Sequence, residues 1–215
     1  MLERISRREE FDLLVAWIAI SVAFAIIFLR GAGRTDPLLA LSFLAVSLFT
    51  VGIGFIFHEM AHKFTAINYG FWAEFRKDNI MLVVAVALAA LVGVVFAAPG
   101  ATVIYDTTGR GISREQNGKI SVAGPLVNLL LCIPFAGLLL YGGEGLSLTG
   151  NFVTMIGMIG FQVNAMIAAF NMLPVSVLDG KKVLAWNKVV FVVVIIAAFG
   201  ALLVSFDPNI FSQIL

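Results

Sequence analysis

The chain has 215 residues, of which 60% are hydrophobic and only 13% charged, and its mean hydropathy is +1.01. A soluble domain is about 45–50% apolar and about 25% charged, so these values exclude one and point to an integral membrane protein. The net charge of +1 argues against nucleic acid as a partner, and the single cysteine, Cys132, excludes an internal disulfide.

Residues 1–10 are charged and are followed by an apolar stretch over 13–29. That stretch is longer than a secretory h-region and no small-residue cleavage site follows it, so it reads as an uncleaved first membrane helix. A spanning helix needs about 20 apolar residues. The candidate runs are 11–30, 38–57 (continuing as helix to about 69), 80–98, 120–141, 151–172 and 188–206. Gly31, Gly33 and Pro37 divide the first from the second, and Gly70 ends the second. Pro99 and Gly100 end the third, Gly142, Gly143 and Gly145 separate the fourth from the fifth, and Pro174 and Gly180 close the fifth. The expected fold class is an all-α integral membrane protein with five to six transmembrane helices, forming a single polytopic domain over 1–215. The longest polar stretch, 106–119, leaves no room for a soluble domain. Cys132 reads as a small hydrophobe in a packed helix.

Both histidines of the chain fall in one string, His58, Glu59, Met60, Ala61 and His62, which breaks into the second apolar run. On a helix, positions i and i+4 share a face, so His58 and His62 can grip one metal ion together. Glu59 then lies beside that metal, where it can take a proton from water. A charged group at the centre of a membrane helix costs about 2.5–3.5 kcal/mol on insertion scales. Three ionisable groups in one turn therefore belong in a protein interior with work to do, and the string has the arrangement of a zinc peptidase site at membrane depth.

Charge orients the chain. Six full crossings with the N-terminus inside would put only Arg4, Arg7, Arg8, Lys63, Arg76 and Lys77 on the inner side, against the usual cytoplasmic excess of Lys and Arg. If 80–105 instead dips into the membrane and returns, Arg110, Arg114, Lys119, Lys181, Lys182 and Lys188 join them. Twelve of the 14 basic residues are then inside, and Arg30 and Arg34 remain outside with the C-terminus. The turn signal at Pro99 and Gly100, and the β-branched and aromatic residues over 102–105, support such a re-entrant segment carrying a short strand or hairpin. Non-helical backbone at that depth must be buried in protein or line a wet cavity.

Catalytic zinc usually takes three protein ligands and a water. No third histidine exists, which leaves a carboxylate or Cys132. Glu74, in a polar amphipathic patch ending at Asp78 that also reads as a solvated interfacial face, is one candidate. Asp179, after an apolar helix and the break at Pro174, is the other, and the re-entrant topology returns it to the side of the histidines.

The chain here resembles the site-2 proteases, intramembrane zinc metalloproteases of peptidase family M50. The resemblance lies in the string from His58 to His62, in Ala123, Gly124, Pro125, Leu126, Val127 and Asn128, and in Asn171, Met172, Leu173 and Pro174 followed by Leu178, Asp179 and Gly180. It covers a core over about 38–185 and implies that His58, His62 and Asp179 bind one Zn2+ per chain, with Glu59 as catalytic base. Family members often carry a second Gly after the Asp-Gly pair, where this chain has Lys181, and many have a PDZ or CBS domain, which this chain lacks. The resemblance also implies a transmembrane protein substrate, namely membrane-tethered regulators already trimmed by another protease.

Further residues fit around this. Gly54 shares a face with His58 and His62. Asn128 could donate a hydrogen bond to a developing oxyanion or link helices, and Asn171 could do either. Gln162 and Asn164 read as packing residues. The strand-like Ala101, Thr102, Val103, Ile104 and Tyr105 could pair with an extended substrate. The expected protein is a multi-pass intramembrane zinc endopeptidase of a prokaryotic cell membrane, with its site nearer the cytoplasmic side. A metal transporter is disfavoured because no second acidic or His cluster lines a path. A catalytically silent scaffold would not need Glu59.

Overall fold

A computed structural model describes residues 5–33, 36–94, 100–106, 109, 111–142, 152–175 and 177–206. Expectations that rest on Arg4, Arg34, Phe96, Pro99, Arg110, Gly143, Gly145 and the C-terminus lie outside the described residues. The chain forms two compact units, 1–111 and 112–215.

The first unit opens with α1 (Arg7–Gly31) and α2 (Pro37–Asn68). Ser6 caps α1 by accepting from the Glu9 N–H at 3.2 Å, and Asp36 caps α2 ahead of Pro37, accepting from the Leu38 N–H at 3.0 Å. Strand β1 (Trp72–Lys77) follows, then α3 (Asn79–Leu91), then β2 (Gly100–Tyr105). β1 and β2 pair antiparallel, with Trp72 opposite Tyr105 and Lys77 opposite Gly100.

That register settles the path of the third apolar run. Gly100 lies beside Lys77, so the run that leaves β1 through α3 is back beside β1 at β2, as a re-entrant segment requires. The helix is shorter than the apolar run over 80–98 suggested. Its 13 residues reach about 20 Å, well short of the roughly 30 Å hydrocarbon core. Asp78 starts it by accepting from the Ile80 and Met81 N–H groups, and Gly93 stops it. Gly93 takes φ +79°, a left-handed conformation costly for other residues, and its N–H closes back on the Leu88 carbonyl at 3.0 Å. The Arg30 guanidinium, at the far end of α1, donates to the Ala90 carbonyl and satisfies one of the orphan acceptors at the end of α3.

The second unit holds α4 (Arg114–Tyr141), α5 (Phe152–Asn171), the short α6 (Asp179–Trp186) and α7 (Lys188–Phe206). A capping box between Ser113 and Gln116 starts α4 well before the apolar run that marks it in the sequence. Helix α6 occupies a stretch that composition reads as a break. Its Val183 sits in a core with Val122, Met172, Phe191 and Val194, which joins α4, the end of α5, α6 and α7.

Among the described residues, five helices are long and apolar enough to cross a bilayer: α1, α2, α4, α5 and α7. Their outward residues, such as Val189, Val193, Ile196 and Leu203 on α7, are large and apolar. Such a surface suits acyl chains rather than water. The protein is a multi-pass membrane protein.

Candidate metal centre and catalytic base

Helix α2 carries the centre. His58 and His62 are both buried, with their rings at 85° and centroids 4.6 Å apart. Their Nε2 atoms converge to 3.0 Å. Two imidazole nitrogens bound at about 2.0–2.1 Å to one tetrahedral zinc ion would lie about 3.3 Å apart, so the pair fits a shared ion. His58 lies about 15 Å up α2 from its C-terminal end, well inside a bilayer-spanning helix.

Glu59, also buried, turns toward the sheet. The Thr102 hydroxyl on β2 donates to Glu59 Oε2 at 2.7 Å. Phe75, opposite Thr102 in the ladder, packs edge-on against Phe55 of α2 at 5.4 Å. One face of the sheet thus rests on α2 beside Glu59, while Ala101, Val103 and Tyr105 point to the exposed face.

Beside His62, Lys63 is completely buried and pairs with the equally buried Glu9 of α1. The other Glu9 oxygen accepts the Phe75 N–H at 3.0 Å. Glu9 therefore ties α1, α2 and β1 together. Composition marked Lys63 only as a cytoplasmic charge and passed over Glu9. The signal was a lysine adjoining an apolar helical stretch, which needs a buried anion.

Glu74 is not a solvated surface group. It is buried in β1 and paired with Arg76, which also faces Asp12 at 3.6 Å. Desolvation works against the Arg76 charge, but Glu74, Tyr105 and Asp12 outweigh it and hold the guanidinium pKa above its usual value.

In the second unit, Asp179 is the first residue of α6, buried, with Lys182 Nζ 3.6 Å from its Oδ1. A carboxylate in the first turn suits the helix dipole. A Cβ on Gly180 would overlap the Met172 and Leu173 carbonyls, so only glycine lets the start of α6 sit against the end of α5. The Asn128 amide donates to Asn164 Oδ1 at 2.8 Å, which is the helix-linking alternative for that residue. Asn164 in turn donates to the Gly160 carbonyl of its own helix at 2.8 Å. Asn171 donates to its own helix at the Ile167 carbonyl. Cys132 is buried, with Sγ 3.8 Å from the Phe161 carbonyl. Gly54 is buried on α2.

No protein-family model matches the chain, and no solved structure matches it. The chain is 37% identical over 200 residues to a protein of Methanocaldococcus jannaschii named a "putative zinc metalloprotease". The match covers 93% of this chain and 95% of that protein.

Proposed function

The chain belongs to the same family as this protein of Methanocaldococcus jannaschii, and on that premise we propose that it is an intramembrane zinc endopeptidase of the site-2 protease type. One observation carries the proposal: the convergent His58 and His62, with Glu59 between them, lie within a helix of bilayer-spanning length. The bound ion would be zinc, one per chain, held by His58, His62 and Asp179. Asp179 is the choice because a catalytic zinc takes a third protein ligand. Glu9 and Glu74 are tied up in pairs with Lys63 and Arg76. Zinc, when bound, supplies a Lewis acid that makes water nucleophilic near neutral pH and polarises the scissile carbonyl. Glu59 takes the proton from the attacking water and delivers it to the leaving amine nitrogen as the C–N bond breaks.

The substrate would be a transmembrane segment of another protein, in the class of membrane-tethered regulators. A helix hides its carbonyls in hydrogen bonds, so the segment must unwind before Glu59 and the metal can act. Unwound backbone in lipid needs new partners, since each unsatisfied group costs several kcal/mol. The edge of β2 offers them by strand addition. The protein would work in a prokaryotic cell membrane, with its site nearer the cytoplasmic face.

The test is purified protein, assayed for zinc and for cleavage of a transmembrane peptide, beside Glu59→Gln. Gln is nearly isosteric and leaves the His pair alone, so that variant should keep its zinc. Cleavage should fall by about 10²- to 10⁴-fold, the usual worth of a general base. Wild-type protein without zinc, or a Glu59→Gln enzyme with normal turnover, would overturn the proposal.

A further inference from the structure

We infer that Thr102, on the strand whose edge the proposed function assigns to an extended substrate, positions Glu59 for proton transfer. This rests on the peptidase reading above. Its first support is the hydroxyl. Thr102 Oγ1 donates to Glu59 Oε2 at 2.7 Å, across 43 positions of sequence. A carboxylate pinned by one oxygen presents the other, Oε1, to the reacting water in a fixed orientation.

The second support is the polarity of the sheet. The Phe75 N–H is given to Glu9 Oε1, so it points away from β2. Phe75 faces Thr102 in the register, which makes this a pair of the kind that exchanges no backbone hydrogen bonds. Alternation then turns the N–H and C=O of Ala101, Val103 and Tyr105 toward β1. The same groups of Thr102 and Ile104 turn toward the open side of β2, where their N–H groups meet no partner among the described residues. On the other strand, Glu9 already takes the outward N–H of Phe75. A substrate strand therefore has its donors and acceptors at Thr102 and Ile104, and the peptide held at Thr102 lies next to the residue that aims the base.

The test is Thr102→Val, which keeps the backbone groups and the side-chain volume but loses the hydroxyl, with Thr102→Ser as the conservative variant. Zinc content and KM should not change in Thr102→Val. Nor should equilibrium binding of an uncleaved transmembrane peptide to zinc-loaded Glu59→Gln protein change when Thr102→Val is added. The kcat should fall about ten- to a hundredfold, the worth of a hydrogen bond to a charged group, and Thr102→Ser should restore most of it. A wild-type enzyme that cleaves while Thr102→Val matches its kcat would overturn this inference alone. So would loss of zinc or of peptide binding in proportion to the lost rate, which would make the role structural. A wild-type protein that cleaves nothing removes the peptidase reading and this inference together.

Discussion

At the residue scale the decisive question is which carboxylate completes the proposed metal centre. Glu74 is neutralised by Arg76, whereas Asp179 is buried in the first turn of α6 with Lys182 Nζ 3.6 Å from its Oδ1. Asp179→Ala should therefore lose most of its zinc, while Glu74→Ala should retain it, as metal analysis of the purified variants would show. The buried pair of Glu9 and Lys63 makes a second prediction. Removing one partner leaves an uncompensated charge and costs about 3–5 kcal/mol, whereas replacing both with apolar residues of similar size is often nearly neutral. Thermal unfolding in detergent should thus show Glu9→Gln well below wild type and the double variant Glu9→Leu with Lys63→Met above that single one. A double variant less stable than Glu9→Gln would mean that the Phe75 N–H, also held by Glu9, matters more than the charge.

At the element scale, the short strand β2 divides its residues by direction. Proline removes an N–H, so its effect depends on where that N–H points. Ile104 points to the open edge, and Ile104→Pro should raise KM for a transmembrane peptide while zinc content stays normal. Val103 points to β1, and Val103→Pro should instead break the ladder and lower the unfolding temperature. The five residues 101–105 look equivalent in composition. Only the contact between Glu9 and the Phe75 N–H tells the two sets apart. Helix α6 is a similar case. Its eight residues are too few to read as a helix by periodicity, and packing against the core of α4, α5 and α7 makes it one.

At the scale of the whole molecule, the paired ends of the re-entrant segment agree with the charge distribution, which needs 80–105 to return to the side it left. Single-cysteine labelling in a Cys132→Ser background should find positions 76, 114 and 181 reactive from the cytoplasmic side and position 30 from the other. Labelling of 76 and 114 from opposite sides would contradict that orientation. Cleavage should also depend on the substrate as a whole. Segments with Gly, Asn or Pro near the cut should be cleaved faster than Leu-rich ones, because less helix must be undone.

The sequence by itself determined the class of the protein and the common face of its two histidines. Five apolar runs of about 20 residues make membrane helices, and two histidines four apart on one of them share a face. It also signalled the re-entrant segment, since the count of basic residues and the turn at Pro99 and Gly100 are local. The tertiary structure decided everything that depends on partners far apart in the chain. A helix over 80–98 reads as long enough to span until Gly93 adopts its left-handed turn and closes on Leu88. Glu74 reads as a surface group until β1 forms and gives it Arg76. Thr102 reads as one strand residue among five until the fold sets its hydroxyl against Glu59. Hydrophobic periodicity records which way a side chain faces along its own element, and it carries no information about what another element will place opposite.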